Sequence, residues 1–131
     1  MSDPIAQIAG AKYLSLETYR KTGVAVPTPV WFAQDISHRD PRVTVFYIYS
    51  EADAGKVKRT RNNPKVRVAP CNFRGALRGE WVDGRARLCD EDEAVHGQEL
   101  IRQKYGLLKI VGDFFGRLLR HQQAVLAVEV G

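Results

Sequence analysis

Hydrophobic and polar residues alternate along much of this chain, a pattern typical of β-strands that bury one side. The segment Lys21–Gly23 interrupts the alternation and predicts a tight turn that joins the first two strands as a hairpin. The strands predicted in this way cover residues 13–19, 24–33, 42–49, 66–69, 79–88 and 124–130. Six strands with few helices favour a small antiparallel barrel.

Helical signals are confined to the segments around these strands. Asp53 is a good helix cap and Pro64 stops a helix, so the residues between them predict one short helix. The other predicted helices cover residues 3–9, about 91–105 and about 107–120. We therefore expect one mainly β domain over residues 1–131, with short peripheral helices.

Two prolines distinguish the strand predicted over residues 24–33. Pro27 and Pro29 are two positions apart, so both remove a backbone N–H from the same edge of an antiparallel strand. That edge cannot pair fully with another strand. It is either a protected edge of the sheet or a place where a flat ligand with a ring N–H docks, and the sequence leaves both interpretations open.

A basic turn follows the strand over residues 42–49. Four cations lie within Lys56–Arg61, and Lys56, Lys58 and Arg59 are expected at the start of the short helix. The helix dipole is positive there, so these cations are unfavourable unless an anion joins them. A phosphate would accept N–H bonds from the helix start and pair with Lys56 and Arg59, which share a face. The alternative is a solvated basic helix.

Composition agrees with an anionic partner without identifying it. The 131 residues include 20 Lys and Arg against 15 Asp and Glu, a formal net charge of +5. This excess favours a phosphate, an acidic cofactor tail or a nucleic acid. Neither a signal peptide nor an apolar run of membrane-spanning length is predicted, so we expect a cytoplasmic protein.

Motifs for side-chain chemistry are missing from the sequence. The three histidines, His38, His96 and His121, have no metal-ligand spacing, and there is no nucleophile elbow. Cys71 and Cys89 are expected to be reduced core residues. We therefore predict neither a catalytic side chain nor a metal site, which suits an enzyme whose cofactor carries the chemistry.

Three segments, in this order, resemble a known protein family. They are Val26–Phe32, Lys56–Val66 and Gly79–Leu88. Together they resemble the pyridoxamine-phosphate-oxidase-like split β-barrels, and most of all the group that uses the deazaflavin coenzyme F420. The resemblance extends from about Lys12 to Val130.

The resemblance implies a six-stranded split barrel that forms a homodimer, with FMN or F420 bound at each interface site. It implies an oxidoreductase that transfers hydride to or from a small organic substrate. Lys56 matches the phosphate-binding lysine of the family, but Ala54 stands where many FMN-binding relatives have serine. The missing hydroxyl and the clustered cations favour F420, with its more highly charged tail, over FMN.

By position, the resemblance and the local pattern assign the cofactor to one set of residues. These are Thr28, Pro29, Val30, Tyr49, Ser50, Lys56, Lys58, Arg59, Arg61 and Trp81. Trp31, Tyr47 and Trp81 either line a ring pocket or belong to the core. Two other functions stay open: a protein that only carries its cofactor, and a nucleic-acid-binding barrel. The acidic run Asp90–Glu93 argues against the second, and we expect no nucleic-acid partner.

Overall fold

The computed structural model describes residues 4–35, 43–51, 54–105 and 123–131. Within these residues, seven strands form one antiparallel sheet and three helices accompany it. The strands are β1 (Tyr13–Tyr19), β2 (Ala25–Val30), β3 (Phe32–Asp35), β4 (Thr44–Glu51), β5 (Lys65–Cys71), β6 (Val82–Leu88) and β7 (Gln123–Val130). The helices are α1 (Pro4–Ala9), α2 (Gly55–Asn62) and α3 (Glu91–Tyr105).

The two ends of the sheet meet at Trp31. The strand order is β2-β1-β5-β6-β7-β4-β3, so β2 and β3 are the terminal strands. Only Trp31 separates the end of β2 from the start of β3. Val30 and Phe32 are therefore at most about 7 Å apart, so the opposite ends of the sheet lie next to each other and the sheet must curl.

The curled sheet encloses one main hydrophobic core. Its buried side chains come from all seven strands, from Ile8 of α1 and from Val57 of α2. Leu14, Leu16 and Phe46 are among the fully buried members. A cluster shared by all strands is the expected interior of a barrel.

A smaller core lies on the outside of the sheet, where α3 covers β3, β4 and β7. Tyr47 donates a hydrogen bond from its hydroxyl to Glu93 Oε2 at 3.1 Å, which fixes the start of α3 over the sheet. Gly97 permits the close approach: a Cβ atom there would lie 2.9 Å from the Tyr47 ring. No described helix is long and apolar enough to cross a membrane.

The close contact between Gly97 of α3 and Tyr47 of β4 predicts an effect of mutation on stability. Gly97→Ala is expected to lower the free energy of unfolding by about 1–3 kcal/mol, because the new methyl group overpacks against Tyr47 and Val125. Gly10→Ala is the matched control, since nothing lies within 4 Å of its Cβ position. Urea unfolding of both variants measures the difference. Equal stability of the two variants would contradict close packing of α3 on β4.

The predicted mainly β fold with short helices is confirmed, with one correction to the strand count. The segment 24–33 forms two strands rather than one, because the chain turns at Trp31 from one end of the sheet to the other. The predicted start of the last-but-one strand at Gly79 is also wrong, since β6 begins at Val82. The helix predicted over 107–120 lies outside the described residues.

Candidate functional site

Helix α2 packs across β1 and β6 at one end of the barrel. It begins at Gly55 after Ala54, whose side chain makes no capping hydrogen bond, and it buries only Val57 and Thr60. Val57 joins the main core, while Ala54 packs against the rim of that core. The helix is therefore held by few apolar contacts, and packing does not account for its many cations.

Arg59 folds back from the end of α2 towards its start. Its Nε donates a hydrogen bond to Thr18 Oγ1 of β1 at 2.6 Å. A Cβ atom on Gly55 would lie 2.6 Å from Arg59 Nη1, so the guanidinium occupies the space beside the first helical residue. Long side chains on a helix point towards its N-terminus, which explains this direction.

The electrostatics around Arg59 favour an anion. Burial lowers the pKa of Arg59, and the positive charge of Arg20 lowers it further. Two guanidinium groups and the positive end of a helix dipole therefore gather at this end of the barrel. A phosphate or carboxylate placed among them would relieve the repulsion and accept charge-assisted hydrogen bonds.

The remaining cations of α2 occupy different positions. Lys56 is half-buried in the first turn, whereas Lys58 and Arg61 are exposed. The expectation that Arg59 lies at the start of the helix is wrong for its backbone, because Arg59 and Arg61 are both in the last turn. Cations are favourable there. The predicted cap is also corrected: the N-cap is Ala54, and Asp53 lies outside the described residues.

The structure brings Arg59 close to the proline-containing strand. Thr18, which accepts the Arg59 hydrogen bond, is directly opposite Val26 of β2. Thr28 lies two residues further along β2, about 7 Å away at the usual rise of a strand. The basic helix and β2 therefore belong to one continuous surface, joined through β1.

Strand β2 presents its prolines outwards. Pro27 and Pro29 are exposed, whereas Thr28 is half-buried and Val30 is buried on the core side. The predicted edge is confirmed, since β2 is a terminal strand that pairs only with β1 within the described sheet. Docking of a flat ring on this edge stays a prediction.

Trp81 contacts Arg67, which forms an ion pair with Glu17 on the same surface. The sequence pattern did not predict this pair. The Arg67 guanidinium lies 4.8 Å from the centre of the Trp81 ring. Arg67 binds both carboxylate oxygens of the buried Glu17, at 2.8 and 3.0 Å from Nη2. Glu17 is directly opposite Arg67 on β5 and Pro27 on β2. An acidic residue among the β-formers of β1 was the only sequence signal for this pair.

Tyr49 and Ser50 are placed elsewhere. Both are buried in β4, and Tyr49 belongs to the smaller core beneath α3. Burial raises the pKa of Tyr49 to about 12, so its hydroxyl is neutral at physiological pH. The structure therefore surrounds Tyr49 with core residues, and its predicted part in cofactor binding stays a prediction.

By sequence, the chain matches neither a protein-family model nor a curated protein.

Solved structures match over nearly the whole chain. A pyridoxamine 5'-phosphate oxidase-like protein from Listeria innocua has a TM-score of 0.61 at 16% identity, covering 95% of this chain and 87% of its own. This chain has the split β-barrel fold. An F420 reductase matches with a TM-score of 0.60 at 15% identity, covering 100% of this chain and 95% of its own.

A third split barrel has a different function. The heme storage protein HutZ from Vibrio cholerae matches with a TM-score of 0.65 at 15% identity, covering 97% of this chain and 87% of its own. The three matching structures are thus named as an oxidase, a reductase and a heme storage protein. The fold alone does not select among these functions, which depend on the residues of the site.

Proposed function

We propose that this split barrel is an oxidoreductase of the pyridoxamine-phosphate-oxidase-like family that binds coenzyme F420 and acts on a small organic substrate. The observation that carries the proposal is the position of Arg59. Its guanidinium lies beside the start of α2, near Arg20, and is fixed to the strand that pairs with β2. An anionic cofactor that extends from α2 towards β2 fits this arrangement.

The residues present fit the charged part of such a cofactor. Arg59 and the half-buried Lys56 would hold the phosphate, because both project from α2 and an anion there relieves like-charge repulsion. The exposed Lys58 and Arg61 would pair with charges further along the tail. Pairs at such exposed positions are worth less than 1 kcal/mol each.

The ring would lie along β2, beside Thr28, Pro29 and Val30. Backbone carbonyls of a strand edge can accept a hydrogen bond from a ring N–H, and the prolines keep another strand from pairing there. When bound, the deazaflavin would supply the hydride chemistry. The protein would orient the ring and exclude water from it.

The proposal includes a homodimer. Ala25, Pro27 and Pro29 of β2 are exposed in the single chain. A second subunit would cover this surface and complete the wall of the ring site, which a domain of this size cannot enclose alone. We also propose that the protein acts in the cytoplasm.

FMN is the second candidate cofactor. The observation that disfavours it is Ala54, which precedes α2 and offers no hydroxyl to a phosphate. Its methyl group instead packs against the core. Ala54→Ser would place a hydroxyl at this N-cap, where serine side chains bond to free N–H groups or to a bound phosphate.

Titration of the purified full-length protein with each cofactor tests the proposal. We expect F420 to bind more tightly than FMN, and the Ala54→Ser variant to bind FMN about threefold to tenfold more tightly than wild type, as one added hydrogen bond would give. Quenching of tryptophan fluorescence measures these affinities. Raised salt should weaken F420 binding, because its tail is charged.

Three outcomes contradict parts of the proposal. Tighter binding of FMN would make the protein an FMN-dependent enzyme. Cofactor binding without turnover of any reductant or oxidant would indicate a carrier. Binding of neither cofactor, together with tight binding of single-stranded oligonucleotides, would overturn the redox function.

A further inference from the structure

A cleft of about 460 Å³ lies on the outside of the barrel, beyond the residues assigned to the cofactor. It is bounded by the segment that joins α1 to β1, the end of β5 and the loop after β5. Its lining residues include Lys12, Tyr13, Pro70, Cys71, Phe73 and Arg78. The volume lies within the range of small-molecule sites.

The walls of the cleft are largely apolar. Tyr13, Pro70, Cys71 and Phe73 all line it, and Phe73 is 63% exposed. Burial raises the pKa of the Cys71 thiol, so this residue is a neutral, small apolar group here. An exposed phenylalanine beside a tyrosine offers an aromatic surface to a flat or apolar molecule.

The charged groups at the cleft are all positive. Lys12 and Arg78 line it and both are exposed, and no carboxylate is among the described residues that line it. The backbone N–H of Arg78 donates to Pro70 O at 2.8 Å, which fixes this residue at the cleft wall. Two cations over an apolar floor suit a ligand with an apolar body and one anionic group.

The cleft adjoins the proline-containing strand. Tyr13 and Cys71 are cross-strand partners, and the next row on the same face of the sheet is Ala69, Ser15 and Pro29. Pro29 is exposed in this row, whereas Ala69 and Ser15 are buried. The loop after β5 also reaches β2: a Cβ atom on Gly75 would lie 3.9 Å from Pro29 Cδ. A molecule in the cleft would therefore lie next to a ring placed along β2.

From these observations we infer that the cleft binds a small aromatic carboxylate, with its apolar body against Tyr13 and Phe73 and its anionic group at Arg78 and Lys12. Binding of this carboxylate depends only on the residues that line the cleft. That the bound carboxylate is the substrate rests on the proposed function.

Binding of two matched probes tests this inference on the full-length protein without cofactor. The probes are 2-naphthoate and its neutral analogue 2-naphthalenemethanol. We expect Arg78→Gln to weaken naphthoate binding about tenfold while the affinity for the alcohol stays the same, because only the charge-assisted hydrogen bond is lost. Phe73→Ala should weaken binding of both probes. Isothermal titration calorimetry measures the affinity of wild type and of each variant for both probes.

Arg85→Gln is the control for net charge. Its replacement removes the same charge from another exposed position. Arg85 lies on β6 and does not line the cleft. Equal losses in Arg78→Gln and Arg85→Gln would indicate attraction by overall charge and would overturn the inference. Absence of naphthoate binding to wild type, as expected if a second copy fills the cleft, would overturn it too.

The cofactor titration separates this inference from the proposed function. If naphthoate binds as expected while neither F420 nor FMN binds, the cleft is supported and the redox function is overturned. If a cofactor binds but Arg78→Gln leaves naphthoate affinity unchanged, the redox function stands and the cleft inference is wrong.

Discussion

Replacing both Lys56 and Arg59 by alanine is expected to weaken F420 binding by about 2 kcal/mol, or about thirtyfold. Charge-assisted hydrogen bonds to a phosphate contribute roughly 1.5–3 kcal/mol each, and solvent screening reduces this at a half-exposed helix. Fluorescence titration at low and high salt measures the loss, which should shrink as salt screens the remaining attraction.

Lys65→Ala with Arg85→Ala is the matched control for this experiment. These two cations are exposed cross-strand partners on β5 and β6. Replacing both removes the same charge outside α2. Its affinity for F420 should stay close to that of wild type. If the two double variants bind F420 equally well, the cations of α2 form a solvated helix and the proposed phosphate site is wrong.

Thermal unfolding must accompany the titration, since Arg59 also contributes to the fold. Its hydrogen bond to Thr18 is lost in the alanine variant, and Thr18 is fully buried. A buried hydroxyl that loses its partner costs about 1–3 kcal/mol, which leaves a protein of ordinary stability folded. A folded variant with weak cofactor binding separates the two roles of Arg59.

Phe32→Ala is expected to lower the free energy of unfolding by about 3–5 kcal/mol, the largest effect on stability that we predict. Phe32 is fully buried at the point where the two ends of the sheet meet. Its ring packs edge-on against Phe46 at 5.8 Å between centroids, and Lys104 Nζ lies 3.3 Å from the centre of the ring. Truncation would remove both contacts and leave a cavity. Chemical denaturation of the purified variant measures the change.

Two further variants show whether the effect depends on position. Phe73→Ala removes the same side chain from an exposed loop and should change stability by about 0.5 kcal/mol or less. Phe32→Leu keeps most of the buried volume and should cost less than Phe32→Ala. Equal, small losses in Phe32→Ala and Phe73→Ala would contradict closure of the barrel at Trp31.

Closure of the sheet at Trp31 also depends on contacts with α3. Tyr105 stacks on Trp31 with ring centroids 5.1 Å apart, and its hydroxyl accepts a hydrogen bond from Phe32 N at 3.1 Å. The same hydroxyl donates to Lys12 O at 2.6 Å. The C-terminal turn of α3 thus fastens the start of β3 to the segment before β1, next to the cleft described above.

The sequence by itself determined the class of fold, one edge strand and one short helix rich in cations. Alternation of apolar and polar residues is a local property of strands, so it located β1, β4, β5 and β7 to within a few residues. Pro27 and Pro29 identified an edge strand, because a missing N–H has the same effect in any sheet. The density of cations in Lys56–Arg61 likewise identified α2 as a helix that packing does not explain.

Tertiary structure alone decided where these segments meet. The break at Trp31 follows from closure of the sheet, since residues 24–33 alternate without interruption and contain no local signal for a change of strand partner. Arg59 reaches Thr18, and Glu17 reaches Arg67, across 41 and 50 residues of chain. Such contacts depend on which strands become neighbours, and strand order is set by packing of the whole core rather than by local preference. The cleft near Arg78 exists for the same reason, because its walls come from segments brought together by β1 and β5.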